Sequence, residues 1–346
     1  MIRTVAFRVD SSLEIGSGHV MRCLNLAEEF QVHGIESFFI SRELPGHSID
    51  LILKKQFKVY CLPNEKYDDA KQTSVLLKKI SPIDYVIVDH YLLDATWERT
   101  IRPFTKKILV IDDIANRLHD CDILIDQNFY NNQTIRYKNL LPLSCLQLIG
   151  PKYTLLKRDF RIQRNQLMDN QKKIKQLLIC FGGSDTMNQT NKAIEACIQL
   201  GQTDIIIDVV VGSANPHKEM LKNKCNNAIN INYHCQINHL AEIMAKANLA
   251  IGAGGITTWE RCCLGLPSLV ISIASNQEQS AHDLSSLGAI QYLGRAEDVS
   301  VAQLSTEITN LLHTDEKRLS MSIIGKNLVD GNGCTRVVKK LLSLGG

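Results

Sequence analysis

The chain has 346 residues, 45% of them hydrophobic, with 39 basic and 36 acidic side chains and a formal net charge of +3. That length suits two domains of about 150 residues each, and the near balance of charge gives no drive toward nucleic acid or a membrane surface. Arg3, Arg8 and Asp10 interrupt any signal-like apolar stretch, no apolar run nears the roughly 18 residues of a membrane span, and the expected setting is the cytoplasm.

In chain order, 4–10 (TVAFRVD) is β-rich and 19–33 has a helical pattern. Short apolar runs follow at 35–40, 85–90, 107–113 and 122–127, most of them ending in polar residues. Runs of this kind between helical segments predict strands buried on both faces of a parallel sheet. Their polar carboxyl ends are where such a sheet places a ligand.

The second half repeats the pattern. The segment 176–185 is predicted as a strand then a glycine turn, 188–200 as a helix, 204–212 as a strand, 238–255 as a helix, a strand and a second glycine turn, 256–267 as a helix stopped by Gly265 and Pro267, and 268–274 as another strand. The stretch 148–160 leads into polar residues 161–175, which places the boundary between domains 1–155 and 156–346. Two α/β domains joined this way are expected to form a cleft, a preferred ligand site.

Eleven cysteines, an odd number with no C-x-x-C pair, read as reduced residues packed like small apolar side chains. Cys23, Cys180, Cys197, Cys262 and Cys263 lie in apolar or helical stretches. No His/Cys spacing suits zinc.

The loop Gly16-Ser17-Gly18-His19 follows the first strand. A dinucleotide fingerprint needs glycine where this chain has Met21, and Glu36 falls at the wrong end of its strand. No phosphate-loop motif is present. What remains is a tight loop with His19 at a helix start, where the helix dipole disfavours imidazolium. Such a histidine can accept a proton from water, or serve as an ordinary cap.

Other motifs sit at strand ends. Gly182 and Gly183 form a strand-to-helix turn that can hold phosphate oxygens or be structural alone. Gly254 and Gly255 precede Thr257, Thr258 and Glu260. The threonines can serve a diphosphate, and Glu260 can accept from ribose hydroxyls or be a solvated helix carboxylate. Asn276 and Gln277 follow a strand and suit polar recognition; His282 beyond them reads as structural. Asp89, His90 and Tyr91 end one strand, and Asp112 and Asp113 the next. The paired acids suit capping or polar contacts better than a metal.

In this order, FRVDSSLEIGSGHVMRCLNLA, VDHY, GPKYTLLKRDF, CFGGSD, GAGGITTWE and SNQEQSA resemble the PseG-type UDP-sugar hydrolases of pseudaminic acid biosynthesis, from Arg8 to at least His282. The glycine and Glu260 segment is shared more widely with MurG-like glycosyltransferases. The resemblance implies an α/β GT-B fold, two Rossmann-like domains facing across a cleft. It implies hydrolysis of the bond from the anomeric carbon to UDP, with inversion and without metal or cofactor. The substrate, UDP-2,4-diacetamido-2,4,6-trideoxy-β-L-altropyranose, comes from the resemblance alone. The family's catalytic histidine falls on His19, its tyrosine on Tyr91, its ribose-binding glutamate on Glu260 and its asparagine on Asn276. Some members carry arginine where this chain has Lys157, which keeps charge but loses the planar fork; Arg158 stands next to it. Asp10, Gly16, Gly18, Gly182, Gly183, Gly254, Gly255, Thr257 and Gln277 complete the expected substrate contacts. The partner is a small-molecule UDP-sugar, and a monomer is expected. A glycosyltransferase and a non-catalytic nucleotide-sugar binder are the rival readings.

Overall fold

The alternating apolar runs become parallel strands in two separate sheets. The computed structural model describes residues 2–63, 68–80, 82–167 and 174–344. The chain divides into unit 1, Met1–Leu155 with Asn332–Gly346, and unit 2, Leu156–Gly331.

Unit 1 runs β1 (Thr4–Val9), α1 (Gly18–Val32), β2 (Glu36–Arg42), α2 (Ile49–Lys54), β3 (Lys58–Leu62), α3 (Asp69–Ile80), β4 (Tyr85–Asp89), α4 (Ala95–Ile101), β5 (Lys107–Ile111), β6 (Ile123–Asp126) and β7 (Leu146–Ile149). The strand order is β3-β2-β1-β4-β5-β6-β7. Strand order reverses between β1 and β4, which makes their carboxyl ends the expected ligand crevice.

Unit 2 runs α5 (Arg158–Gln166), β8 (Gln176–Cys180), α6 (Gln189–Gln199), β9 (Ile206–Val211), α7 (Lys218–Asn226), β10 (Ile231–Cys235), α8 (Leu240–Lys246), β11 (Leu249–Ala253), α9 (Ile256–Leu264), β12 (Ser268–Ser272), α10 (Glu278–Ser286), β13 (Gln291–Arg295), α11 (Val301–Leu312) and α12 (Asp315–Leu328). Its order, β10-β9-β8-β11-β12-β13, repeats the same reversal between β8 and β11.

The last helix, α13 (Gly333–Leu344), belongs to unit 1. This corrects the expected second domain, which ends at residue 331 rather than 346. The cause is apolar: Cys334, Val337, Val338 and Leu341 of α13 join Leu24, Ala27 and Phe30 of α1 in one core. Gly333 permits the approach, because a Cβ there would lie 2.0 Å from the Thr154 carbonyl oxygen.

Both faces of the first sheet are covered. Phe7 stacks on Phe39 at 5.0 Å and meets Phe30 edge-on at 6.3 Å. On the other face Ala6, Ile40, Val86 and Val88 pack with Leu77 and Trp97. In unit 2, Leu177, Ile179, Val209, Ile251 and Leu269 form a core with Ile194 of α6 and Leu304 and Ile308 of α11. Burying each such side chain contributes about 1.5–3 kcal/mol. Among the described residues no helix is long and apolar enough to cross a membrane.

Candidate active site

The loop after β1 closes on itself. Gly16 N–H donates to the Ser12 carbonyl at 2.9 Å, and Gly16 takes a φ of +77° that only glycine adopts without strain. A Cβ at Gly18 would meet nothing within 4 Å, so the start of α1 faces open space.

His19, the second residue of α1, is buried and lies with Nδ1 2.6 Å from Oδ1 of Asp89, the last residue of β4. The ionised Asp89 carboxylate can only accept, so Nδ1 is the donor, and in the neutral ring that tautomer puts the lone pair on Nε2. Arg22 follows one helical turn later on the same face. Its Nε and Nη2 donate to the two Asp89 oxygens, both at 2.6 Å, and its Nη1 donates to Asp113 at 2.9 Å. Nη2 also lies 3.1 Å from His19 Nδ1. Burial alone would push the Asp89 carboxyl up, but the Arg22 charge and the hydrogen bonds from Arg22 and His19 hold it well below the usual carboxylate range. The Tyr91 ring meets His19 edge-on at 4.6 Å. Burial and the neighbouring Asp113 carboxylate push the Tyr91 phenol well above its ordinary value. His19 and Tyr91 are thus brought together, and Asp89, Arg22 and Asp113 bind them into one cluster.

Asp10 has a different place from the expected substrate contact. It is buried and accepts from Arg8 at 2.6 and 2.8 Å and from the Arg42 N–H at 2.8 Å, with His90 Nε2 at 3.2 Å. Arg8 is fully buried and also donates to Asp69. Asp10 therefore fixes the β1 end and the loop from within. Asp112, expected in polar contacts, accepts from Arg117 and from the Ala115 N–H.

In unit 2 the two glycine turns differ. Gly182 has a φ of +86°, and Gly183 packs so tightly on Gly212 that a Cβ on the latter would lie 2.1 Å from the Gly183 oxygen. α6 begins only at Gln189, and Asp185 already caps the N–H groups of Gln189 and Thr190 at 2.9 and 2.8 Å. A carboxylate in that position opposes a phosphate at the α6 start. α9, by contrast, follows Gly255 (φ +83°) directly and carries no side-chain cap. Of these two helix starts, the uncapped one is the better suited to an anion.

Thr257 and Thr258 hydroxyls donate to the Ala253 carbonyl at 3.4 Å, so they brace the turn. Gln277 also braces it. Its Oε1 accepts from the Ile273 N–H at 3.1 Å, and its Cβ stands 2.9 Å from where a Gly254 Cβ would be. Asn276 is exposed in the short turn before α10. Lys157 caps α5, pairs with Asp159 and donates to the Asn238 carbonyl at 3.2 Å; Arg158 is exposed. Glu260 is half-buried, with Oε2 sealed from solvent and without a hydrogen-bond donor among the described residues. Burial pushes its carboxyl up to about 8, against the weaker pull of Arg261 and Lys157. A buried acceptor with no donor is suited to hydroxyls from a ligand.

Sequence reasoning named His19 and Tyr91, which the structure brings together; it named Asp89 and Asp113 only as strand-end acids and did not single out Arg22, which joins them. The available signal was His-x-x-Arg at the start of a helix, beside acids ending two successive strands. Among the described residues no group of three or more His, Cys, Asp or Glu side chains is arranged to hold a metal ion.

A description of the glycosyltransferase family 28 C-terminal domain matches residues 177–330. MurG from Acinetobacter baumannii superimposes with a TM-score of 0.68 at 15% identity, over 99% of this chain and 100% of that one. The two Rossmann-like units therefore define a protein of the GT-B fold class. An uncharacterized protein of Methanocaldococcus jannaschii is 28% identical over 77% of this chain, which spans 55% of that protein's length. The UDP-2,4-diacetamido-2,4,6-trideoxy-β-L-altropyranose hydrolase of Campylobacter jejuni is 30% identical over 82% of this chain and 97% of its own. The chain belongs to the family of that hydrolase.

Proposed function

We propose that the protein hydrolyses UDP-2,4-diacetamido-2,4,6-trideoxy-β-L-altropyranose at the bond between the anomeric carbon and the UDP oxygen. The observation that carries this is the 2.6 Å contact of His19 Nδ1 with Asp89, which leaves Nε2 to accept a proton. Water attacks the anomeric carbon as the bond to UDP breaks; its proton passes to Nε2, and UDP leaves as an anion. Attack from the face opposite UDP inverts that carbon. Tyr91, against the His19 ring, orients the sugar or the water. Unit 2 takes the nucleotide: Glu260 accepts from the ribose hydroxyls, the Gly254–Gly255 turn and the α9 start receive the diphosphate, and Asn276 contacts the ligand beside them. The reaction needs no metal.

The family 28 match over residues 177–330 favours one second reading, transfer of the sugar to an acceptor hydroxyl. Incubating the protein with this UDP-sugar, with chelator and without any acceptor, separates the two. Release of UDP and free sugar of opposite anomeric configuration is the expected result. Turnover only when an acceptor is added overturns the hydrolase reading.

A further inference from the structure

We propose that Arg22 is a positioning residue that keeps the His19 Nε2 lone pair available for the proton of water. The inference rests on the hydrolase reading above and adds a residue to it. Arg22 is buried and places three nitrogens on two carboxylates: Nε and Nη2 on Asp89, Nη1 on Asp113. A fork of this kind fixes the plane of the Asp89 carboxylate, which in turn fixes the His19 ring. Lysine, a point charge on a flexible stem, reproduces the charge but not the plane.

Charge supplies the second half of the argument. Among the described residues, His19 itself meets Arg22 from α1 and Asp89 and Tyr91 from the β4 end; Cys23 from α1 contacts Asp89, and Asp113 after β5 contacts Arg22. His90, next to Asp89 in sequence, turns instead to Asp10. Two carboxylates against one guanidinium leave a single negative charge beside the ring. Proton uptake at Nε2 brings the cluster to neutrality, which favours the transition state of water attack. Removing Arg22 leaves two uncompensated carboxylates, which hold a proton on the imidazole before any water arrives. Asp113 thus takes part in the balance through Arg22.

The test combines nitrogen-15 NMR of the His19 ring with pH–rate profiles of Arg22→Met and Arg22→Lys. In the wild-type protein without ligand, the proton on Nδ1 should give a strongly downfield proton resonance, with the lone pair of the neutral ring on Nε2. In Arg22→Met that signal should shift or broaden, and the acid limb of kcat/KM should move up by about one pH unit or more. Its kcat near neutral pH should fall about tenfold or more, with UDP affinity kept and part of the loss recovered in Arg22→Lys. A wild-type ring protonated on Nε2 instead, or an Arg22→Met profile superimposable on wild type, overturns the proposal. So does a loss of UDP affinity in step with kcat, the mark of a merely structural role. If Arg22→Met does not fold, the wild-type ring signal and Arg22→Lys still decide. If the wild-type protein releases no UDP, the hydrolase reading fails by itself, and the ring signal continues to test the positioning.

Discussion

His19 and Asp89, seventy positions apart in the chain, are joined by a 2.6 Å contact between Nδ1 and Oδ1. The bond fixes one tautomer and one ring orientation. Asp89→Asn, which can offer an amide N–H in place of the carboxylate, should lower kcat by roughly 10²–10⁴-fold, and His19→Ala by a similar factor. Both variants should bind UDP as the wild-type protein does, by calorimetry. Near-normal turnover in either variant removes His19 from the role of base.

Glu260 links nucleotide binding to pH. Burial raises its carboxyl to about 8, so below that value the ligand-free protein holds a proton there. Ribose hydroxyls donating to Oε2 favour the carboxylate. UDP affinity should therefore rise as pH climbs toward about 8, and binding below it should release a proton. Calorimetry in buffers of different ionisation enthalpy measures this directly. Glu260→Gln should bind UDP more weakly and abolish the release; an unchanged release in that variant assigns the proton elsewhere.

Asp10 separates a structural from a substrate role. Its carboxylate is buried with Arg8, the Arg42 N–H and His90 around it. Burial alone would push it up, and the bonds from His90 and Arg8 with the Arg8 charge hold it far below the usual carboxylate range. Asp10→Asn should destabilise unit 1 by about 1–3 kcal/mol, seen as a lowered Tm, with KM little changed. A raised KM at unchanged Tm restores the substrate contact.

The docking of α13 depends on Gly333. An alanine Cβ would stand 2.0 Å from the Thr154 oxygen, which is backbone and cannot swing aside. Gly333→Ala should cost about 1–3 kcal/mol through overpacking, read as a lower midpoint in thermal unfolding. An unshifted midpoint shows that α13 does not stabilise unit 1.

The interior strands were legible because burial on both faces writes continuous apolar runs, as in Tyr85–Asp89 and Leu249–Ala253, where every residue is buried. The edge strands were not. β3, β7, β10 and β13 carry Lys58, Gln147, Asn232, His234 and Arg295 among their residues and were given no strand assignment. The C-terminal helix was given no assignment from sequence, and its docking on α1 depends on a partner three hundred residues away. At the site, the glycine loop and His19 stand together in sequence, whereas Arg22, Asp89 and Asp113 meet only when β1, β4 and β5 align in register. Nor does spacing distinguish the two glycine turns of unit 2. Only the structure shows that Asp185 occupies one helix start and that nothing caps the other.

The most direct test of the whole account is to run the reaction with UDP-2,4-diacetamido-2,4,6-trideoxy-β-L-altropyranose in ¹⁸O-water and locate the label by mass spectrometry. Attack of water at the anomeric carbon, with His19 as base, places ¹⁸O on the released sugar and none on UDP. Label on the phosphate would mean cleavage of the P–O bond and would contradict the account.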